Sequence, residues 1–168
     1  MGNTSQRWQN QDDEVEEVVQ VLDEATETRI INASPTRCYE IATDFGSYSE
    51  WTTDLKDAEV VETDAQGRGS LVAYRAAAMG RSATYTLRYD HSQAPGCFSW
   101  VQEMGDITRR LDGSYTFVAI DGEPDRCEVT YNLTVELAVP LPGFVKRRAE
   151  GRIFHTALDD LQRRAEAD

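Results

Sequence analysis

The middle of the chain, from about residue 55 to residue 139, alternates between hydrophobic and polar side chains with a period of two. Residues at this spacing lie on one face of a β-strand, so each alternating run predicts a strand with one buried face. Short stretches rich in Gly, Pro and Asp divide the region into six runs. Strands joined by such short turns form an antiparallel meander, and we predict them at 55–64, 69–78, 82–91, 97–103, 107–121 and 126–139.

Two helical segments precede the meander, and one more strand precedes them. Residues 28–33 have the composition of a strand. Ser34 followed by Pro35 is typical of a helix start, and apolar residues at helical spacing continue as far as Gly46. A second short helix is predicted in 47–51.

The chain closes with a long helix after the sequence PLPG at 140–143. A single antiparallel sheet with one apolar face needs a cover, and only this helix is long enough to supply it. The sequence therefore predicts an α+β fold. The apolar stripe of the helix consists of Phe154, Ala157, Leu158, Leu161 and Ala165.

Residues 1–24 form an acidic extension that we separate from a domain at 25–168. Residues 1–11 are polar and aperiodic, which favours disorder. Residues 12–24 place valines and a leucine at helical spacing opposite acidic side chains, which predicts an amphipathic helix, although part of it would also suit a strand. Its stripe must pack on this domain or on a second copy, so a homodimer through this segment is one prediction.

The amino-acid composition limits the classes of partner and cofactor that we expect. The net charge of −13 disfavours nucleic acid and anionic membranes, which both require a basic face. The sequence has no apolar run long enough to span a membrane and no signal-peptide pattern, so we expect a cytoplasmic protein. The three cysteines are far apart and odd in number, which indicates free thiols and no metal site. We expect no cofactor, because no dinucleotide or phosphate-binding motif occurs.

The order of these elements and several short motifs resemble the START-related superfamily, also called SRPBCC, and within it the polyketide cyclase/dehydrase-like branch. The resemblance covers about residues 25–165. It implies a helix-grip fold, in which a curved seven-stranded antiparallel sheet wraps around the C-terminal helix and leaves an apolar cavity between them. The residues that carry it are Ile31, Ala33, Ser34, Pro35, Tyr39, Asp44, Phe45, Tyr48, Trp51, Gly113, Tyr115, the run Pro140–Val145, Ala157, Leu158 and Leu161.

The sequence DFGSYSEW at 44–51 gathers three aromatic rings in a turn-prone place. The resemblance implies that these short helices cap one end of the cavity, with Trp51 near the first strand crossing. The alternative is that the rings are ordinary core, because large aromatic side chains fill space more often than they touch ligands.

Tyrosines supply the case for a cavity from the residues themselves. Several would point inward if the apolar faces of the strands do, and a buried hydroxyl without a partner costs roughly 1–3 kcal/mol. This cost is avoided if the hydroxyls bond to water, to each other or to a ligand in an amphipathic pocket. It is also avoided if each hydroxyl reaches solvent at a sheet edge. The cavity candidates on the strands are Tyr74, Tyr85, Tyr89, His91, Trp100, Tyr115 and Tyr131.

The long helix adds four candidates. Counting back from Phe154 by three, four and seven residues reaches Gly151, Glu150 and Arg147, so the first turns of the inward face are small and charged. A glycine inside a helix costs about 1 kcal/mol relative to alanine. Room for a ligand and close approach to the sheet are the two explanations that we consider.

Three alternative functions are compatible with these sequence features. The first is binding or transport of an apolar small molecule or lipid, without covalent chemistry. The second is a cyclase or aromatase acting on a polyketide-like chain, for which the tyrosines, Arg147, Glu150 and His91 would supply proton transfer. The third is a protein-interaction module that uses the acidic segment. The sequence contains no recognisable catalytic motif, which favours binding over catalysis.

Overall fold

The structure is a computed structural model that describes residues 22–78, 80–138 and 142–167. Its elements follow one another as predicted, with one strand and two short helices before the meander and one long helix after it. They are β1 Leu22–Ile31, α1 Pro35–Thr43, a 3₁₀ turn Phe45–Ser47, α2 Tyr48–Trp51, β2 Leu55–Thr63, β3 Gly69–Ala78, β4 Arg81–Asp90, β5 Cys97–Gly105, β6 Thr108–Ile120, β7 Glu123–Leu137 and α3 Gly143–Glu166.

The seven strands form one antiparallel sheet in the order β1-β7-β6-β5-β4-β3-β2. Consecutive strands from β2 to β7 are therefore neighbours, as the short turns predicted, and β1 joins the sheet beside β7. The predicted α+β architecture with a long C-terminal helix is confirmed. Among the described helices, none is long and apolar enough to cross a membrane.

The first strand corrects the sequence-based boundary. β1 begins at Leu22, not at residue 28, and it is paired with β7 from Leu22 opposite Glu136 to Ile31 opposite Cys127. The predicted amphipathic helix is therefore wrong over 22–24, because hydrogen bonding to a neighbouring strand outweighs a short helical pattern. The rest of that helix and the expected disorder of 1–11 lie outside the described residues, as does Val139 at the predicted end of the last strand.

α1 begins as its sequence predicts. The Ser34 side chain accepts a hydrogen bond from the Arg37 backbone amide at 3.2 Å, and Pro35 occupies the first turn. The Arg37 guanidinium then donates to the carbonyl oxygens of Ala165 and Ala167, at 2.9 and 2.8 Å. Because these carbonyls are at the end of α3, α1 and the last turn of α3 are held together.

The last turns of α3 pack closely on the sheet. Leu158 and Leu161 are fully buried and Ala165 nearly so, all in one core cluster with the inner faces of the strands. Earlier in the helix, Arg148 and Arg152 are exposed, whereas Ile153 packs against the edge of the cluster. The helix is thus anchored near its C-terminal end, and a gap remains beneath its middle turns.

A buried carboxylate fixes the point where this gap begins. Asp160 is 3% exposed and accepts hydrogen bonds from the Thr53 amide at 2.8 Å and the Thr53 hydroxyl at 2.7 Å. Arg163 donates to the same carboxylate at 2.7 Å and to the Trp51 carbonyl at 2.9 Å. These contacts join α3 to the loop between α2 and β2.

The two inward-facing cysteines are neighbours. Cys38 of α1 and Cys127 of β7 are fully buried, and their Sγ atoms are 3.5 Å apart. Burial, together with the hydrogen bond to the other thiol, raises the pKa of Cys38 far above its usual value. All three cysteines are free, and Cys97 is half-buried.

Replacing Asp160 by alanine should lower the free energy of unfolding by about 2–3 kcal/mol, because three donors lose a charged acceptor that is buried. Urea denaturation followed by circular dichroism measures the change. The neighbouring Asp159 is a matched control, since its side chain is 61% exposed and pairs with Arg29 at 2.6 Å. Asp159→Ala should cost no more than about 1 kcal/mol. An equal loss in the free energy of unfolding for the two variants would contradict the conclusion that Asp160 is a buried acceptor of three hydrogen bonds.

Candidate functional site

A cavity of about 700 Å³ lies between the inner face of the sheet and the middle of α3, from Arg148 to Asp160. Small-molecule sites in proteins commonly measure roughly 300–1,000 Å³, so one ligand of that class fits. Every strand from β3 to β7 contributes side chains to its wall, and α3 with the loop before β2 completes it. Small residues such as Ala76 and Ala83, rather than large ones, leave the space open on β3 and β4.

Tyrosine hydroxyls in the wall fall into two groups. Tyr74 and Tyr89 are hydrogen-bonded to each other at 2.6 Å, and the Tyr48 hydroxyl donates to the Ala42 carbonyl. A second set, Tyr85, Tyr115 and Tyr131, lines the cavity, and among the described residues no protein group forms a hydrogen bond with their hydroxyls. These three phenols come from three different strands and face the same space.

The cavity tyrosines are un-ionised at neutral pH. Burial raises the pKa of Tyr74, Tyr89, Tyr115 and Tyr131 well above their usual value near 10, and it also raises the pKa of Tyr85. A neutral phenol can donate one hydrogen bond and accept another. The wall therefore offers ligand carbonyl or hydroxyl groups several neutral hydrogen-bonding partners.

Close packing keeps these rings in place. Tyr115 and Tyr131 have ring centroids 4.7 Å apart, and Trp100 lies 6.0 Å from Tyr131. Gly113 makes room for Trp100, since a Cβ there would come within 2.5 Å of the indole ring. Aromatic contacts of this kind add to the energy of burial, so the wall is a connected surface, not a set of independent side chains.

Charged groups are found at one end of the cavity. Arg152 donates to Asp54 at 3.1 Å, and Arg148 lies one helical turn before it on the same face of α3. The other boundaries at this end are Gly80 in the β3–β4 turn and the β5–β6 turn, together with the end of β7. We call this end the mouth; its lining residues are Asp54, Gly80, Ile107, Thr108, Leu137, Arg148 and Arg152.

The structure places the sequence-predicted site residues in three groups. Six of them line the cavity: Tyr74, Tyr85, Tyr89, Trp100, Tyr115 and Tyr131. Three described candidates do not: Trp51, His91 and Gly151. The side chains of the remaining three, Arg147, Glu150 and Phe154, lie outside the described residues, although their backbone belongs to α3.

The three candidates that do not line the cavity have other surroundings in the structure. The His91 ring is 4% exposed, donates from Nε2 to the Gly69 carbonyl at 2.7 Å and stacks on Phe98, so it belongs to the core. Trp51 packs edge-on against Tyr48 with centroids 5.0 Å apart, outside the space. At Gly151 a Cβ would meet nothing within 4 Å; close approach to the sheet therefore does not explain this glycine.

The rings of DFGSYSEW have different environments. Phe45 is 2% exposed and packs on Tyr89 with centroids 4.3 Å apart, as ordinary core. Tyr48 lines the cavity beside the mouth, and Trp51 covers Tyr48 from outside. Both sequence-based explanations thus apply, each to a different ring.

Sequence reasoning missed the polar side of the cavity. Arg148, Arg152, Thr156 and Asp160 recur every fourth residue along α3 and all line the space. This spacing puts them on one helical face, and it was readable beside the apolar stripe. Asp54 was missed for a different reason, because the three-residue loop before β2 has no periodicity to interpret. No cluster of metal-binding side chains occurs within the described ranges.

A sheet that packs around a C-terminal helix, with a mostly apolar cavity between them, defines the helix-grip class of folds. Residues 23–166 match the family described as "Polyketide cyclase / dehydrase and lipid transport". The chain belongs to this family, which confirms the resemblance found in the sequence. No curated protein matches the sequence.

Solved structures share the fold. A START superfamily protein from Mycobacterium smegmatis has a TM-score of 0.77 at 21% identity, with 85% of this chain and 97% of that chain covered. The Zhui aromatase/cyclase from a Streptomyces strain has a TM-score of 0.73 at 18% identity, with 86% and 94% covered. At these identities the likeness establishes the helix-grip fold alone.

Raising the pH should unfold the protein before the buried tyrosines ionise. Their raised pKa means that the unfolded chain releases these protons first, so stability is complete below about pH 10 and falls above it, by up to about 1.4 kcal/mol per pH unit for each tyrosine. Phenolate absorbance at about 295 nm, a wavelength typical of ionised tyrosine, should therefore rise together with the loss of circular dichroism.

The same titration in denaturant is the control, because all seven tyrosines should then ionise near pH 10. A reversible phenolate signal from most of the tyrosines near pH 10, with the native circular dichroism retained, would contradict the described burial.

Proposed function

We propose that this protein binds one predominantly apolar small molecule, ring-containing or lipid-like, in the cavity between the sheet and α3, and holds it without covalent chemistry. The observation that carries the proposal is the arrangement of Tyr85, Tyr115 and Tyr131. All three line a space of about 700 Å³, and their hydroxyls make no hydrogen bond to the described protein. A ligand or ordered water in that space supplies the missing partners.

The energetics favour an amphipathic ligand over a purely hydrocarbon one. Burying apolar surface contributes about 25 cal/mol per Å², and alanines, leucines and aromatic rings provide most of the wall. A ligand with no polar atoms would displace water from the phenols and leave them unpaired, which costs about 1–3 kcal/mol for each. A ligand with two or three carbonyl or hydroxyl groups avoids that cost.

Flat ring systems suit the wall particularly well. The faces of Tyr115 and Tyr131 and the indole of Trp100 are packed side by side, and ligand rings stack on such surfaces in offset or edge-on geometry. Fatty chains would also fit the volume, but they would use the aromatic surface without using the phenols.

Titration with the neutral dye Nile red tests binding directly, and native mass spectrometry of the protein as purified reports any retained ligand. Filling the space with Ala83→Phe should weaken dye binding at least about tenfold, equivalent to about 1.4 kcal/mol. Ala83 is 3% exposed and lines the cavity. Its larger replacement occupies volume that the ligand needs.

The control substitution is Ala73→Phe, on the outer face of β3, where alternate residues point away from the cavity. It adds the same side chain but should leave dye affinity within about twofold, a change of about 0.4 kcal/mol. Equal weakening by both variants would mean that the dye does not report on the cavity. Absence of dye binding and of any retained ligand in the unmodified protein would overturn the proposal.

A second function is favoured by one observation, the Asp54–Arg152 pair at the end of a cavity that also contains neutral phenols. A carboxylate and several phenols in reach of one ligand could move protons during ring closure of a polyketide-like chain. The Zhui relative is described as an aromatase/cyclase. Incubation with a poly-β-ketone chain, followed by chromatography, distinguishes turnover from binding; an unchanged product distribution with and without protein would exclude the cyclase.

A further inference from the structure

The charged side chains that line the cavity do not all have a partner of opposite charge. Arg152 pairs with Asp54 at 3.1 Å, and Asp160 is bonded to Arg163 at 2.7 Å. Each of these pairs is neutral overall. Arg148 also lines the cavity, and among the residues that the structure describes no carboxylate forms an ion pair with it. The wall therefore has one positive charge in excess, and that charge is located at the mouth.

The sequence around Arg148 adds to this local charge. Residues 143–152 contain four basic side chains and one acidic side chain, although the chain as a whole has a net charge of −13. A recess with apolar walls and one sign of charge concentrates the electric field and attracts ions of the opposite sign. The mouth is therefore a place where an anionic group of a ligand is favoured, in a protein whose net charge repels anions.

The position of the cation at the mouth determines which kind of anion fits. Arg148 and Arg152 are exposed, while the wall behind them is mostly apolar. An ionised group that enters a dry interior loses its hydration at a large cost in free energy. A ligand anion that stays at the mouth keeps part of its water, and only the uncharged body of the ligand enters. The arrangement thus suits a ligand with one charged end.

The opposite end of the cavity is lined by phenols. Along β7, Leu137 borders the mouth and Tyr131 lies six residues earlier, which corresponds to about 20 Å of strand. Leu133 lines the cavity between them. Tyr131 is paired with Tyr115 of β6, and both rings line the cavity. From the mouth inward along β7, the lining therefore changes from charged to apolar and then to neutral hydrogen-bonding groups.

We infer that the ligand has a carboxylate at one end, which Arg148 binds at the mouth, and an apolar body that extends toward Tyr115 and Tyr131. This inference rests on the proposed ligand-binding function. The planar guanidinium of arginine donates two parallel hydrogen bonds to a carboxylate, and one negative charge balances the one excess positive charge of the wall. The ligand class is thus an amphipathic monocarboxylic acid whose body is a ring system or a chain.

Fluorescence titration with pyrenebutyrate and with its uncharged methyl ester tests the inference, because the two probes share one ring system. At low salt the acid should bind about fivefold more tightly than the ester, equivalent to about 1 kcal/mol, which is the upper range for an exposed ion pair. Screening shortens the reach of charges to about 3 Å at 1 M ionic strength. The acid-to-ester affinity ratio should therefore fall to about two or less in 1 M salt.

Substitutions at the mouth should change this affinity ratio in both directions. Arg148→Gln should lower it to about one, and Arg148→Lys should retain a ratio of about two, because lysine keeps the charge but loses the paired hydrogen bonds. Asp54→Asn should raise the ratio about threefold, because it removes the acidic partner of Arg152. A loss of folded protein cannot produce such a gain.

The matched control is Arg164→Gln. Arg164 is an exposed arginine in the last turn of the same helix, and it does not line the cavity. This variant makes the same change in net charge as Arg148→Gln, and it should retain the acid-to-ester affinity ratio of the unmodified protein. An equal fall in the ratio for the two variants would mean that only the net charge matters, which overturns the site at Arg148.

Ala83→Phe tests whether the acid enters the cavity. If the pyrene ring of both probes lies inside, this variant should weaken the acid and the ester alike, by at least about tenfold. Weakening of the ester alone would place the acid on the outer surface, and it would overturn the inference.

The remaining outcomes separate this inference from the proposed function. Suppose that Nile red binds in a manner that depends on Ala83. The carboxylate site is then overturned, and the binding function stands, if the acid does not bind or if its affinity ratio to the ester is near one. The same conclusion holds if Arg148→Gln and Asp54→Asn leave the ratio unchanged. Absence of binding for Nile red and for both pyrene probes overturns the binding function and the inference together.

Discussion

The contact between the second half of α3 and the sheet is the constraint from which the rest of the structure follows. Leu158 and Leu161 bury completely against the strands, and Asp160 binds the loop before β2 through Thr53. The cavity lies beneath the preceding turns of the helix, where Arg148, Arg152 and Thr156 line it opposite the sheet.

The wall of the cavity combines two properties that rarely occur together. Aromatic rings in continuous contact, such as Trp100, Tyr115 and Tyr131, make it rigid and mostly apolar. At the same time the phenols at Tyr85, Tyr115 and Tyr131 keep hydrogen-bonding capacity that no described protein group uses. Such a surface selects ligands by the position of their polar atoms as well as by their apolar area, because each unpaired phenol weakens binding.

The sequence by itself determined the order of the elements, because period-two and period-3.6 patterns and turn residues are local signals. It also named six of the residues that line the cavity. Alternation indicated the shared faces of five of them, whereas it did not fix the facing of Tyr74. Tertiary structure decided the start of β1 at Leu22, the core position of His91 and the roles of Asp54 and Asp160. Those features depend on pairing and packing between different elements of the fold, and no local pattern in the chain records such contacts.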